Sequence, residues 1–226
     1  MSDDRLLTWL VLGAIGVTLF STFLTLFMLN DAGTQVASVT GRVTDTGTAT
    51  TTLAGSAGVS VVSGSAEIAF GSGYYNASCT QGYADLTSDP PSSDCWINTT
   101  AFPTESVSHK IRNSGTTLLN VTVDSDKTDG ETLFCGSTGG CLSTNTAGVK
   151  YNSDYWESNS CNTEMVSSFS DMLTYNGEIS STLKVCDNLN YEDENDEVKI
   201  SYEFLVPADA TSGAKTLTVT YTGVAL

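Results

Sequence analysis

The sequence is poor in basic residues and in histidine. Its 226 residues hold nine lysines and arginines against 26 acids, which gives a formal net charge of −17 at pH 7. A surface of this charge repels phosphate backbones and anionic lipid headgroups, so no nucleic-acid partner is expected. There is one histidine, His109, and no C-x-x-C spacing, so the usual zinc spacings are missing and a zinc site is not favoured.

Motifs of catalysis are missing as well. The chain has no G-x-S-x-G, no phosphate-binding P-loop and no G-x-G-x-x-G after a predicted strand. His109 lies beside Lys110 in a predicted strand, where a histidine could act as a general base. A surface or sheet histidine is the favoured interpretation, because no nucleophile motif accompanies it. We therefore expect that the protein is not an enzyme and has no catalytic cofactor.

What the sequence does have is an apolar run without a charge, Leu6–Leu29, behind a short leader at 1–5. As a helix it is about 36 Å long, which exceeds a hydrocarbon core of about 30 Å. The run is long for a cleaved signal peptide, and two acids accompany the single arginine of the leader, so a membrane anchor is favoured. The alternative is removal of the run at the small-residue site "QVA" before Ser38. Arg5 before the run and Asp31 after it predict that the N-terminus lies inside.

The same run offers a surface for packing against another helix. Four small or hydroxyl residues recur at 4-3-4 spacing and share one helix face: Ala14, Thr18, Ser21 and Thr25. Such residues let helices approach closely in lipid, so copies of the chain are expected partners beside membrane lipid. Alternatively, the hydroxyls hydrogen-bond to their own helix. A transmembrane anchor and the core of a filament therefore both stay open.

Six cysteines follow the apolar run, at Cys79, Cys95, Cys135, Cys141, Cys161 and Cys186. An even number of cysteines in an exported chain predicts disulfides. Pairing of sequence neighbours (79–95, 135–141 and 161–186) is favoured, because each bridge would close a polar segment. N-x-S/T sequons occur at Asn76, Asn98 and Asn120. Together these features predict an extracellular, glycosylated domain.

Alternating apolar and polar residues predict β-structure after the run. A Thr/Gly/Ala-rich segment, 30–57, is interpreted as a spacer with the first strands, and 58–226 as an antiparallel sandwich. A hairpin is expected from Val59–Val62 and Glu67–Phe70, and further strand pairs on either side of "NSGT" and of "PADATSGAK". Two long segments, 72–105 and 125–197, are interpreted as disulfide-closed insertions because they hold all six cysteines.

Two stretches carry a family resemblance. They are "IRNSGTTLLNVTV", with Asn113, Gly115, Leu118 and Val121, and "VKISYEFLVPADATSGAKTLTVTYT", with Pro207, Gly213 and Val219. Both resemble immunoglobulin-like domains of prokaryotic surface proteins, which occur behind a single N-terminal helix in archaeal envelope proteins, including pilin-like and archaellin-like subunits. The resemblance implies an all-β immunoglobulin-like antiparallel sandwich preceded by one long N-terminal hydrophobic α-helix.

Two further features raise the question of a ligand. Acids cluster in "DSDKTDGE" (Asp124, Asp126, Asp129 and Glu131) and in "YEDENDE", and calcium prefers such oxygen ligands; solvated acidic loops are the alternative. Aromatic residues at Tyr74, Tyr75, Trp96, Tyr151, Tyr155 and Trp156 could stack against glycans or form a local core.

The expected function is that of a membrane-anchored structural or adhesion protein of the cell surface, which contacts envelope proteins or glycans. The alternative is a filament subunit whose N-terminal helix packs into the filament core. Both alternatives share the same fold, and they differ in what Leu6–Leu29 contacts.

Overall fold

The computed structural model describes residues 47–53, 58–141, 146–163, 165–175, 177 and 183–226, with the backbone alone at 47–53. The predicted helix Leu6–Leu29, with Ala14, Thr18, Ser21 and Thr25, lies outside the described residues, as does most of the predicted spacer. Within the described ranges, no helix has the length and apolar character needed to cross a membrane.

The described part of the chain forms fourteen strands and one short helix. They are β1 (Gly47–Leu53), β2 (Val59–Val61), β3 (Glu67–Gly71), β4 (Gly73–Tyr75), β5 (Tyr83–Ser88), β6 (Pro91–Asp94), β7 (Trp96–Asn98), β8 (His109–Asn113), β9 (Leu119–Ser125), α1 (Gly130–Cys135), β10 (Gly148–Tyr155), β11 (Ser170–Leu173), β12 (Leu183–Leu189), β13 (Glu197–Pro207) and β14 (Leu217–Ala225). The prediction of an all-β chain is confirmed for these residues.

The strands form two large sheets and a two-stranded ribbon of β4 and β7. One sheet has the order β12-β9-β14-β1-β3, and its pairs are antiparallel except for β1 and β14, which run parallel. The other has the order β11-β10-β13-β5-β6. In that sheet β8 also pairs with the first part of β13, and β2 pairs with β8. The eleven-residue strand β13 is therefore the centre of the second sheet.

The two sheets pack face to face over one hydrophobic core. The ring of Phe70 on β3 lies 4.7 Å from that of Phe204 on β13, centroid to centroid. The Ser153 hydroxyl on β10 donates to the Val185 carbonyl on β12, at 2.9 Å. Alternating residues of the long strands point into the space between the sheets and are excluded from water, as period-2 patterning predicts. The arrangement is a β-sandwich.

The expected strand pairs are wrong, although the strands themselves exist. β2 pairs with β8 and β3 pairs with β1, so Val59–Val61 and Glu67–Gly71 belong to different sheets. β8 and β9 also lie in opposite sheets, as do β13 and β14. Each of these connections crosses the sandwich. Alternation determines which face of a strand is buried, and it does not determine which strand lies alongside.

The segments 72–105 and 125–197 are integral to the sheets, which corrects their interpretation as insertions. β5, from the first segment, pairs with Glu203–Pro207 of β13. β10, from the second, pairs with β13 over eight residues. β12 forms an edge of the five-stranded sheet. These strands are less apolar than β13, so their sequence patterns are weaker.

The connection between β8 and β9 is shaped by a buried asparagine. The Asn113 amide nitrogen donates to the carbonyls of Thr117, at 2.8 Å, and Leu189, at 3.1 Å. Its oxygen accepts from the Gly115 amide at 3.0 Å. Gly58 packs so closely here that an added Cβ would overlap the Gly115 backbone. The "N-x-G" motif therefore closes a corner between the two sheets, because its side chain replaces the missing ladder bonds.

Candidate functional site

Trp156, which follows β10, is the most exposed tryptophan among the described residues. Half of its surface (50%) is open to solvent. The ammonium nitrogen of Lys110, on β8, lies 3.3 Å from the centroid of the indole ring, which is a cation–π contact. β8 and β10 lie on either side of β13. In the strand register, Lys110 on β8 is opposite Lys199 on β13, and Lys199 is opposite Asp154 near the end of β10. The indole therefore lies at one end of the outer face of the seven-stranded sheet.

A surface pocket of about 270 Å³ opens beside this pair. Its lining consists of Ser63, Gly64, Ser65, Ser106, Val107, Ser108, Lys110 and Trp156. The Ser65 hydroxyl accepts from the Lys110 amide at 3.0 Å and donates to the Val62 carbonyl at 2.9 Å. The connection between β2 and β3 is thus bonded to β8, which sets one wall of the pocket. The lining combines an aromatic ring, hydroxyl groups and one cation.

Lys110 differs from most basic side chains of the described part. Five of the seven form ion pairs there: Arg112, Lys127, Lys150, Lys184 and Lys199. Lys215 is buried, and its ammonium donates to the Thr211 hydroxyl at 2.6 Å. For Lys110, no carboxylate of the described residues lies within ion-pair distance, and none lines the pocket. Its charge remains available to an anion that enters.

A neighbouring ion-pair cluster holds Trp156 in place. Glu157, the next residue, accepts hydrogen bonds at one carboxylate oxygen from the amides of Asp196, at 2.9 Å, and Glu197, at 3.1 Å. Arg112 on β8 donates to Glu197, and its Nε lies 3.6 Å from an oxygen of Asp196. The loop after β10 is therefore joined to the start of β13, which restricts where the indole can move.

Burial makes this cluster sensitive to pH. The carboxyl of Asp196 has its pKa raised to about 6, chiefly because it is removed from water, and the negative charges of Glu157 and Glu197 add to the shift while Arg112 opposes it. Ligand oxygens of Glu157, Asp196 and Glu197 lie within 4.8 Å of one another. Arg112 pairs with Asp196 and Glu197, and Glu157 accepts from the backbone amides of the same two residues, so one guanidinium faces three acids in a single hydrogen-bonded network.

The acids expected to bind calcium have other roles. Asp129 is the N-cap of α1 and accepts from the Thr132 amide at 2.6 Å. Glu131 accepts from the amides of Gly139, at 2.7 Å, and Cys141, at 3.2 Å. These two side chains therefore stabilise the helix start and the loop that follows it. An aspartate directly before a helical segment is by itself an N-cap signal, and it could have identified the role of Asp129.

The other two acids of that set bond to the backbone near β14. Asp126 accepts from the Thr218 amide at 2.7 Å and from the Lys127 ammonium at 2.6 Å. Asp124 accepts from the Ser125 amide at 2.8 Å. In the described part of the chain, two groups of three metal-ligand side chains come together, and neither contains any of the four predicted residues. The structure thus does not assemble Asp124, Asp126, Asp129 and Glu131 into a calcium site.

The cysteines are joined in the neighbouring pairs that the sequence analysis favoured: Cys79–Cys95, Cys135–Cys141 and Cys161–Cys186. The third bridge links β12, at the edge of the five-stranded sheet, to the loop that follows Trp156. Asp209 lies near the second bridge, but cysteines in a disulfide are not thiolate ligands for a metal.

The sequon asparagines differ in exposure. Asn98 is exposed at the end of β7, whereas Asn76 and Asn120 are half-buried. The Asn76 side-chain oxygen accepts from the Ser78 amide at 3.0 Å, which fixes a tight turn. The oxygen of Asn120, on β9, is buried and has no hydrogen-bond partner among the described residues. Asn98 therefore offers the most accessible amide for a glycan.

His109 is fully buried between the sheets, which is the sheet position that the sequence analysis allowed. Its Nδ1 lies 2.9 Å from the Tyr221 hydroxyl. Burial lowers the pKa of this imidazole to about 3, so the ring is neutral near pH 7. A base enclosed in this way cannot reach a substrate at the surface.

The six aromatic residues that the sequence proposed as a platform do not form one surface. Trp96 and Tyr151 are buried, while Tyr155 and Trp156 are exposed at the end of β10. Sequence reasoning missed Lys110 and the pocket serines, because they come from β8 and two connections that only the sheet pairing brings together.

No protein-family model, curated protein or solved structure matches the chain.

Proposed function

We propose that this protein is a non-catalytic structural or adhesion protein of the cell envelope. Leu6–Leu29 anchors it in the membrane with the N-terminus inside, and the β-sandwich lies outside the cell. The observation that carries the proposal is the set of three disulfides in the sandwich. Disulfides persist in oxidising compartments and are rare in the cytosol, which supports export of everything that follows the apolar run.

An immunoglobulin-like fold is part of this proposal. Two mostly antiparallel sheets pack over a common core, and consecutive strands switch from one sheet to the other at β2/β3, β8/β9 and β13/β14. Sheet-crossing connections of this kind are typical of immunoglobulin-like sandwiches. The motif at Asn113 lies at one of the crossings, which supports the resemblance seen in the sequence.

The alternative function is that of a pilin-like or archaellin-like filament subunit. The face formed by Ala14, Thr18, Ser21 and Thr25 favours it, because small and hydroxyl residues suit close helix packing. In that assembly Leu6–Leu29 would contact copies of itself, and the sandwich would form the outer sheath.

Mechanical shearing of the native cell surface distinguishes these functions. The sheared material is examined by negative-stain electron microscopy, and the protein is identified by mass spectrometry. An anchored protein stays in the membrane pellet until detergent releases it, whereas regular filaments built from this chain would establish the alternative. Recovery in the soluble cytosolic fraction would contradict both.

Two substitutions on the hydroxyl face and one control on the opposite face test the role of the apolar run. Thr18→Leu and Ser21→Leu change the hydroxyl face and preserve apolar character, so a lone anchor still inserts while a packed filament core is disrupted. Phe23→Leu lies on the opposite face of the predicted helix and serves as the control.

A further inference from the structure

We propose that the pocket beside Trp156 binds an acidic saccharide, meaning a pyranose ring that carries a carboxylate or a sulfate group. This inference deepens the proposed function and rests on it for the location of the ligand outside the cell. Three properties of the pocket support it: a half-exposed indole, a lysine without a carboxylate partner in the described part, and a lining rich in serine.

The indole supplies the apolar contact. A pyranose presents C–H groups on its ring faces and hydroxyls at its rim, so it matches a flat aromatic side chain that borders a polar pocket. Trp156 is 50% exposed at the pocket edge, whereas Trp96 is 8% exposed and packs inside the domain. The exposed part of the ring gives this otherwise polar pocket an apolar wall on which a sugar can stack.

Lys110 selects for negative charge. The chain as a whole carries −17, so an anion is repelled from most of its surface. The pocket lining is an exception, because it contains one lysine and no acid. Asp89, which bonds to the lining residue Ser106, is paired with Lys199, and Asp196 and Glu197 are paired with Arg112. The Lys110 ammonium can therefore form a charge-assisted hydrogen bond with a ligand carboxylate or sulfate.

The serines suit a ligand with many hydroxyls. Four of the eight lining residues are serines: Ser63, Ser65, Ser106 and Ser108. Ser65 already donates to the Val62 carbonyl and Ser106 bonds to the Asp89 carboxylate, so these two hydroxyls offer a ligand only an acceptor, whereas Ser63 and Ser108 can both donate and accept. The volume of about 270 Å³ is just below the range typical of drug-sized ligands, which fits one sugar ring. A longer chain of sugars would extend from the open side.

The pocket is largely formed before the ligand arrives. Ser65 fixes the backbone of Lys110, and Glu157 fixes the loop that carries Trp156. Ordering these elements in advance reduces the entropy that binding must overcome. A rigid aromatic edge beside a fixed cation is thus a property of the free protein.

The test uses the full-length chain in a detergent without a sugar headgroup, because glycoside detergents would compete for the pocket. Ligand-observed NMR compares glucuronate with glucose, inorganic sulfate, acetate and a short glutamate peptide. We expect glucuronate to bind most tightly, about tenfold more tightly than glucose, which corresponds to one charge-assisted hydrogen bond. Tighter binding of the peptide, or equal binding of glucose and glucuronate, overturns the proposal.

Variants assign the binding to this pocket. Trp156→Ala abolishes binding, and Lys110→Gln reduces glucuronate to the affinity of glucose. Tyr191→Ala and Lys127→Gln leave binding unchanged, since the first removes another exposed aromatic ring (43% exposed) and the second a lysine elsewhere. If Trp156→Ala does not fold, Trp156→Phe replaces it and weakens binding at an unchanged melting temperature. Glucuronate affinity that Lys110→Gln leaves unchanged in a folded protein contradicts the proposal.

This experiment is independent of where the protein resides. The NMR measurement reports on the ligand alone, while shearing and fractionation report on location. A protein recovered in the cytosol that still binds glucuronate would contradict the surface function and leave the ligand class standing.

Discussion

The hydroxyl of Tyr202 lies 2.5 Å from the hydroxyl of Tyr221, and the two residues belong to opposite sheets of the sandwich. His109 completes the group, with its Nδ1 2.9 Å from the Tyr221 oxygen. All three side chains are excluded from water. Burial raises the pKa of both phenols and lowers the pKa of the imidazole to about 3, so all three side chains are neutral near pH 7. Neutral polar groups bonded across a core fix how the two sheets are aligned.

His109 makes the fold sensitive to acid. The unfolded chain takes up a proton near pH 6.5, whereas the folded state resists it down to about pH 3, so stability is lost as pH falls through this window. This single group lowers the free energy of unfolding by about 2 kcal/mol between pH 7 and pH 5. Chemical denaturation of the wild type and of His109→Gln at both pH values measures it.

The quantity to compare is the change in stability between the two pH values. We expect the fall to be smaller in His109→Gln, even though this variant is less stable at pH 7 because it disturbs the tyrosine pair. An identical pH dependence in both proteins would show that the imidazole does not stay neutral in the folded state.

Asp196 acts in the opposite direction. Its pKa is raised to about 6 in the folded state, so its charged form opposes folding, and stability is lost as pH rises from about 4 to about 6. Asp196→Asn should therefore be more stable than the wild type at pH 7, by at most about 3 kcal/mol, and the difference should vanish near pH 4. Glu105→Gln is the control, because Glu105 is exposed and is not among the charges that shift the pKa of Asp196. A loss of stability at pH 7 would mean that the ion pair with Arg112 outweighs the burial.

Inward-facing residues of the long strands could be predicted from alternation, and strand partners could not. Leu119, Val121 and Val123 all point into the core as the pattern of β9 predicts. β10 was missed as a central strand because one of its inward positions is Ser153. That hydroxyl donates to the Val185 carbonyl and accepts from the Val166 amide, both at 2.9 Å, so a polar residue fits the core there.

The candidate site was only partly visible in the sequence. Trp96 and Trp156 both lie near cysteines, and nothing local shows that one is buried and the other exposed. Lys110 and Trp156 are separated by 45 intervening residues of sequence. Their side chains come into contact because β8 and β10 both pair with β13, one on each side of it. A site assembled by sheet pairing is hidden until the pairing is known.

The disulfides should contribute unequally to stability. Cys161–Cys186 closes a loop with a sequence separation of 25 residues, and Cys135–Cys141 one of 6. In the loop-entropy description, losing the longer loop costs about 3.5 kcal/mol and losing the shorter one about 2 kcal/mol. Melting temperatures of the two double Cys→Ala variants test this order. Equal losses would indicate that local packing dominates, since all four cysteines are buried.

The packing of the ribbon of β4 and β7 leaves no room for a side chain at Gly73. A Cβ added to Gly73 would overlap the indole nitrogen of Trp96 and the carbonyl oxygen of Ile97, so Gly73→Ala must displace the buried indole. We expect the free energy of unfolding to fall by about 1–3 kcal/mol, the usual cost of overpacking.

Gly82→Ala is the control. Gly82 has open space around it and a φ of +80°, so the substitution costs only the strain of a left-handed alanine, about 1–2 kcal/mol. Tryptophan fluorescence separates the two causes, because only Gly73→Ala should move Trp96 towards solvent. An unchanged emission spectrum in a destabilised Gly73→Ala protein would contradict the packing described for this ribbon.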